Sequence, residues 1–289
     1  MGSTIDLHVH TNASDGTDSP EQLLANVQKA GIKIFAVTDH DTINGAMEMK
    51  KIVPSGSGSE SGIKFIQGIE FSCRTQKSRC HILGINYDEN NQAFQDALNA
   101  VEELRHQKFF VRIKFLRENF GIEFTDEEID YLSKIPGIGK PLIANMIVSK
   151  GFAENRQDAI SRYLNKLSTS SYRIEAGRAV KAVNSSGGIP VWAHPLGGEG
   201  ERELTEREFF ETLEELISYG LKGLECWYSK YPVTKCEWLV SIAQRSGLLV
   251  SGGSDYHGKN KSIPLGRLNS DEKIIDVENL SVLTQAQEG

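Results

Sequence analysis

Six of the seven histidines in this 289-residue chain stand where a short apolar, strand-like run stops, and two of those runs also end on an acidic residue. Imidazoles and carboxylates spread over so many separate strands can act together only in a fold whose strand ends converge. An α/β barrel does this, because its functional groups gather at the carboxyl ends of parallel strands. The pattern points to bound metal ions and hydrolytic chemistry.

The first run, Ile5-Asp6-Leu7-His8-Val9-His10, alternates apolar with polar residues at strand period, and the turn formers of Thr11 to Asp18 follow it. Ser19-Pro20-Glu21-Gln22 then opens a helix through Lys29, with Ser as N-cap, Pro in the first position and Gly31 as the stop. A second unit repeats the pattern: Ile32 to Val37 as strand, Thr38-Asp39-His40-Asp41-Thr42 as turn, and a helix from about Asn44 to Ile52. Pro54 to Gly62 reads as a solvated loop by composition. Further strands are expected at Ile63 to Phe71, Cys80 to Ile85, Ile189 to Ala193, Leu221 to Cys226 and Leu248 to Gly253, which brings the strands to seven. Strands separated by helices imply parallel pairing.

One stretch breaks the rhythm. From about Phe94 to Tyr172 the signals are helical only: an amphipathic segment at Asp96 to Asn119, a capping box at Thr125-Asp126-Glu127-Glu128, and helices at Leu142 to Lys150 and Asn155 to Leu164. The expected organisation is therefore a barrel from 1–93 and 173–289, with 94–172 as a helical insertion capping the substrate. Between Lys134 and Lys181 nine basic residues face three acidic ones, in a chain whose net charge is -7. A cap that recruits an anion has this bias.

Composition removes several alternatives. The net charge argues against a broad nucleic-acid surface, so no DNA partner is expected. No apolar run approaches the roughly 20 residues needed to cross a bilayer, and no basic segment leads into an apolar stretch at the start. No membrane partner and a cytoplasmic location are expected. Cys73, Cys80, Cys226 and Cys236 lack C-x-x-C spacing and read as free thiols.

Nine side chains are candidate metal ligands. His8 and His10, two apart on a strand, point to one side about 6.6 Å from each other. Asp15 follows in a Ser-Asp-Gly loop, and His40 is flanked by Asp39 and Asp41, either of which could orient its ring. Glu70 ends an apolar strand, where a lone buried carboxylate is costly without a cation. His81, His194 before Pro195, Asp255 and His257 complete the set. Nine ligands exceed one ion's needs and suit two or three divalent ions, while the absence of cysteine favours catalytic over structural sites. Clustered ions would lower the pKa of bound water and neutralise charge on a phosphoryl oxygen.

These residues resemble the PHP superfamily, named for polymerase and histidinol phosphatase. The resemblance runs through His8-Val9-His10, Ser14-Asp15-Gly16, Thr38-Asp39-His40-Asp41, Gly68-Ile69-Glu70, His81, Ala193-His194-Pro195 and Gly253-Ser254-Asp255-Tyr256-His257-Gly258. It implies a distorted (β/α)7 barrel with an all-helical insertion domain, two to three ions of Mn, Zn or Fe, and a metal-bridging hydroxide that attacks phosphorus. One ion would take His8, His10, Glu70 and Asp255, a second Glu70, His81 and His194, and a third Asp15, His40 and His257, with Glu70 as the bridge. His194 and Asp255 are expected in catalytic roles, and the leaving oxygen would take its proton from His194 or a metal-bound water.

Within the superfamily the Ser-Asp-Gly loop and the insertion are similar to the small branch that hydrolyses nucleoside 3′,5′-bisphosphates and trims short RNA from its 5′ end. Another small phosphorylated metabolite, such as histidinol phosphate, is the alternative substrate, and a non-catalytic metal-binding regulatory module is the alternative of another class. Gly137-Ile138-Gly139-Lys140-Pro141-Leu142 is similar to the branch's Gly-Arg-Pro-His, with lysine for arginine and leucine for histidine. The lysine keeps the charge but loses the bidentate fork. Lys140, Arg162 and Tyr172 are the expected substrate contacts.

Overall fold

The computed structural model describes residues 2–53, 62–135, 138–198 and 202–285. Most of the loop expected at Pro54 to Gly62, and Gly137 of the insertion motif, lie outside the described residues. The chain divides into two compact units, one from residues 1–97 and 175–289 and the other from 98–174.

The first unit opens with β1 (Ile5–Val9), α1 (Pro20–Ala30), β2 (Ile34–Val37) and α2 (Asn44–Ile52). α1 starts where the sequence indicates. The Ser19 hydroxyl accepts from the Gln22 N–H while the Gln22 side chain accepts from Ser19 N–H, and Gly31 ends the helix at φ 77°. Removing such a cap costs about 1 kcal/mol. Leu23 and Val27 of α1 and Ala46 and Met49 of α2 pack on Val9, Phe35 and Val37. Burial of each large apolar side chain stabilises by about 1.5–3 kcal/mol.

β3 (Lys64–Arg74) and β4 (Arg79–Ile85) follow, then α3 (Gln92–Phe120), which leads into the second unit. That unit continues with α4 (Asp126–Ser133), α5 (Lys140–Ser149) and α6 (Arg156–Arg162), and the two-residue β5 (Ile174–Glu175) lies at its end. Phe109, Leu116, Ile143, Ile147 and Leu164 belong to its own apolar core. The first unit resumes with α7 (Ala176–Ser185), β6 (Ile189–Ala193), α8 (Glu206–Tyr219), β7 (Gly223–Tyr228), α9 (Val233–Arg245), β8 (Leu249–Gly253) and α10 (Val282–Gln285).

The sheet runs β1-β2-β3-β4-β6-β7-β8, seven strands in one path, with β5 beside β3. A bridge from Val9 to Tyr256, with Asp255 N–H bonded to His8 O and His10 N–H to Tyr256 O, links its first and last strands. The result is a nearly closed, distorted barrel. Asp6 fastens the same seam, accepting from Ser254 N–H, the Ser254 hydroxyl and Gly266 N–H; burial nevertheless raises its pKa to about 6.

Parallel pairing does not extend round the whole barrel. β4 is antiparallel to both β3 and β6. Four residues separate β3 from β4, enough for a hairpin but far short of the dozen or more a parallel crossover needs. The reversal has a functional consequence. His81 stands near the start of β4, not its end, and the reversed direction brings that start opposite Ala193 and Ser72, at the end of the barrel where the parallel strands finish.

Candidate metal centre

Strand alternation puts Asp6 and His8 of β1, and His10 just after it, on one side, with Leu7 and Val9 on the other. The approach of β8 to β1 is close enough that a Cβ on Gly253 would collide with His8. Two of the candidate ligands, His194 (φ 28°) and Asp255 (φ 58°), adopt left-handed backbone conformations although neither is glycine. Such conformations cost of order 1–3 kcal/mol each and persist where the surroundings enforce them. For His194 the enforcement is visible: its backbone N–H donates to Glu225 Oε2 at 2.6 Å.

Glu70 is the hub. Its Oε2 lies 3.0 Å from His8 Nε2, 3.1 Å from His10 Nε2 and 3.3 Å from His40 Nδ1; its Oε1 lies 3.0 Å from both His81 Nδ1 and His194 Nε2. Five imidazoles from five places in the chain therefore meet one buried carboxylate. Burial opposes the charged form of Glu70, yet His40, His8, His81 and His10 outweigh it and hold its pKa well below the usual range. Asp255 behaves alike, lowered despite its burial by His10, His8, Lys261 and His257.

Three overlapping sets each bring their ligand atoms within 4.8 Å of one another: His8, His10, Glu70 and Asp255; His40, Glu70 and His81; and His10, Asp15, His40 and His257. The first is the set named from the sequence. The other two differ in membership, with His40 beside His81 and Glu70, and His10 joining Asp15, His40 and His257. His194 belongs to none of the three, although its Nε2 lies 3.3 Å from His81 Nδ1 and at the Glu70 hub.

The residues fit divalent ions. Among the described residues His10 Nδ1 and Nε2 and His40 Nδ1 are buried and make no hydrogen bond, although each has a carboxylate oxygen within 3.1–3.5 Å. Buried ring nitrogens that lie beside carboxylate oxygens without bonding to them are what ligands around a cation look like. The other ring atoms are fixed from behind. His257 Nδ1 donates to Asp255 O at 2.9 Å, which leaves Nε2 as a lone pair 3.1 Å from Asp15 Oδ1. His8 Nδ1 faces Glu225 Oε1 at 2.9 Å, which turns Nε2 towards the hub.

Glu225 lies behind the centre rather than in any of the three ligand sets: fully buried, it bridges the His8 ring and the His194 backbone. Burial works against protonated His8, but Glu225 and Glu70 raise its pKa well above the ordinary value; His10 is likewise pushed up to about 9, burial being outweighed by Asp255 and Glu70. His40 goes the other way, lowered to about 3 by burial together with the charges of His10 and His81. Asp39 does not turn towards the His40 ring: it accepts from Thr11 N–H, the Thr11 hydroxyl and the Ser14 hydroxyl, tying down the loop that carries Asp15. Asp41 accepts from Ser72 N–H at 2.7 Å. Tyr228 and Lys261 were not expected at the centre. Both donate to Asp255 Oδ2, at 3.0 and 2.8 Å, leaving Oδ1 towards His10.

The expected substrate contacts belong to the helical unit. Lys140 Nζ donates to Asn165 Oδ1, Arg162 pairs with Asp158 at 3.2 Å and lies over the Tyr163 ring, and Tyr172 ends a short 3-10 turn. Part of that unit's basic excess is neutralised locally, since Lys134 pairs with Asp130 and Lys150 with Glu128.

A family model described as the PHP domain matches residues 6–179, more than half of the chain. The chain belongs to the PHP family. It is 28% identical over 266 residues to the phosphoribosyl 1,2-cyclic phosphate 1,2-diphosphodiesterase of Eggerthella lenta, covering 90% of this chain and 96% of that one. Against a 5′-3′ exoribonuclease of Haemophilus influenzae the identity is 28% over 270 residues, 92% and 94% of the two chains. The 3′,5′-nucleoside bisphosphate phosphatase of Chromobacterium violaceum is 25% identical over 258 residues, 88% and 87%. Among solved structures, one from Bifidobacterium adolescentis, described as a candidate metal-dependent phosphoesterase, superposes with a TM-score of 0.73 at 30% identity and covers 93% of both chains. An amidohydrolase from Chromobacterium violaceum, at 24% identity and the same TM-score, shares the fold. This PHP chain is a metal-dependent phosphoric ester hydrolase.

Proposed function

We propose that this PHP phosphoesterase hydrolyses phosphate monoesters of a small nucleotide-like substrate, either a nucleoside 3′,5′-bisphosphate or a short RNA bearing a 5′ phosphate. The observation that supports this most is the Glu70 hub, a single carboxylate shared by two of the three overlapping ligand sets. Two to three ions of Mn, Zn or Fe fit those sets, as a bridged multinuclear centre requires. The bound ions would supply activated water at neutral pH and neutralise charge on the phosphoryl oxygens.

The chain's own residues do the rest. Glu225 holds the His8 ring in the orientation that offers Nε2, and His257 is fixed the same way by the Asp255 carbonyl. Asp255, gripped by Tyr228 and Lys261, keeps its second oxygen for the centre. Thr11 and Ser14, bonded to Asp39, set the Asp15 loop. His194, at the edge of the hub, is the side chain assigned to proton delivery to the leaving oxygen.

The names of the relatives favour a phosphorylated pentose or nucleotide, since they concern a phosphoribosyl cyclic phosphate, RNA and a nucleoside bisphosphate. A substrate panel tests this. Phosphate release would be compared on a nucleoside 3′,5′-bisphosphate, a short 5′-phosphorylated RNA, a phosphoribosyl cyclic phosphate, a mononucleotide and histidinol phosphate with Mn²⁺ present. The proposal expects the bisphosphate or the RNA to lead in kcat/KM by at least about tenfold, about 1.4 kcal/mol of differential transition-state binding. Equal rates on all five, or a lead by histidinol phosphate, would overturn it.

A further inference from the structure

The motif that begins at Gly253 closes on His257 and Gly258, but the residues just beyond it also reach the centre. Of the three carboxylates in the ligand sets, Glu70 and Asp255 are buried, whereas the side chain of Asp15 is 42% exposed and stands on the turn-rich segment from Thr11 to Asp18. Its oxygens nevertheless meet three imidazoles: Oδ1 lies 3.5 Å from His10 Nδ1 and 3.1 Å from His257 Nε2, and Oδ2 lies 3.9 Å from His40 Nε2. A carboxylate on a loop keeps such a position only if the loop itself is held.

This loop is held at both ends and in the middle. At its start Thr11 and Ser14 bond to Asp39; at its end Asp18 accepts from the Tyr256 hydroxyl at 2.8 Å and from Asn26 Nδ2 at 2.7 Å. Between them, Asn260 Nδ2 donates to the Asp15 carbonyl at 2.7 Å and Lys259 N–H donates to the Thr17 hydroxyl at 2.9 Å. Both donors come from the 3-10 turn Gly258–Asn260 that follows His257. Glycine lets that turn come close: residue 258 has φ 62°, and a Cβ there would run into Thr17 Oγ1.

Asn260 is exposed, and cutting back an exposed side chain usually changes folding stability little. What its amide fixes is local, the backbone of the residue whose carboxylate joins His10, His40 and His257. We infer that Asn260 is a positioning residue for one metal site: by holding Asp15 it sets how tightly the His10, Asp15, His40 and His257 set closes on its ion. The two sets that contain Glu70 do not contain Asp15, so the effect falls on one ion of the centre. The inference rests on the multinuclear reading above.

The test is Mn²⁺ binding to the full chain at graded free Mn²⁺, with ions per chain counted by native mass spectrometry and affinities taken from calorimetry, in wild type, Asn260→Ala, Asp15→Asn and the double variant. Asn260→Ala is expected to need from about twofold to about tenfold more free Mn²⁺ to fill its weakest site, reflecting loss of one side-chain to backbone hydrogen bond, with the tighter sites unchanged. Asp15→Asn is expected to lose that ion at concentrations that fill the wild type. Adding Asn260→Ala to it is expected to change nothing further, because the amide acts through Asp15. A weakest site in Asn260→Ala that differs from wild type by less than about twofold, or an equal weakening by Asn260→Ala in the Asp15→Asn background, overturns the inference. So does an Asp15→Asn chain that keeps every ion, a result that leaves the Glu70 centre standing; a wild type that binds a single ion overturns that centre as well.

Discussion

Glu225→Gln isolates the orientation of a ligand from the ligand itself. Glu225, fully buried, faces His8 Nδ1 with Oε1 at 2.9 Å and accepts from His194 N–H on Oε2 at 2.6 Å. A glutamine of the same shape has one acceptor oxygen and one donor group. If the oxygen faces His194, the amide group meets His8 Nδ1 and drives the ring to the tautomer with its proton on Nε2, which cannot ligate. If it faces His8, two N–H groups oppose each other at His194. Either way one bond to a charged group is lost, worth about 1.5–3 kcal/mol. At 1.4 kcal/mol per factor of ten, metal affinity at the His8 set falls about 10- to 150-fold, in the range expected for partners that orient metal-bound histidines. The assay is competition with a metal chelator, paired with kcat/KM at rising Mn²⁺. Activity lost at low metal should return at high metal. An affinity within twofold of wild type, in a variant of unchanged melting behaviour, refutes the orienting role.

Three further outcomes follow from the same geometry. His10 is raised to about 9 in the metal-free chain, so between about pH 6.5 and 9 it carries a proton that a metal ion must displace; apparent metal affinity should therefore rise with pH across that window, seen as proton release in calorimetry with buffers of different ionisation enthalpy. His40, lowered to about 3, is already neutral there and contributes nothing. Tyr228→Phe removes one of the two donors on Asp255 Oδ2 and should lower kcat/KM by roughly 5- to 10-fold, from about 1 kcal/mol of lost hydrogen bonding, with little change in the urea midpoint. Gly253→Ala pushes a methyl into His8, where overpacking costs about 1–3 kcal/mol, and denaturant melts should show that loss together with weaker metal binding.

How much of this was legible in the sequence depended on whether the partner was local. The caps of α1 and α4 were readable because Ser19 with Gln22, and Thr125 with Glu128, interact three residues apart. The strands were readable from alternation and from the turn residues that close them. The reversal of β4 was masked, because period-2 alternation is the same in either direction, and only the short connection after β3 carries the information. Glu70 and Glu225 illustrate the limit for the site. Both are acidic residues inside otherwise apolar strands, and the desolvation argument that singled out Glu70 applies equally to Glu225. What separates them is the partner: five imidazoles for one, an imidazole and a backbone N–H for the other. Asp6 read as the polar half of an alternating strand, yet it clamps Ser254 and Gly266, some 250 residues away.

The central claim is that one carboxylate, Glu70, ties together a multinuclear metal centre that hydrolyses phosphate esters. Metal content per chain, measured by mass spectrometry on wild type and Glu70→Gln purified side by side with excess Mn²⁺, tests it most directly. The account predicts at least about two ions per wild-type chain and a loss of more than one ion in the variant, because Glu70 belongs to two of the three ligand sets. A wild type that releases phosphate with a single ion bound, or a Glu70→Gln chain that keeps its full complement, would contradict it.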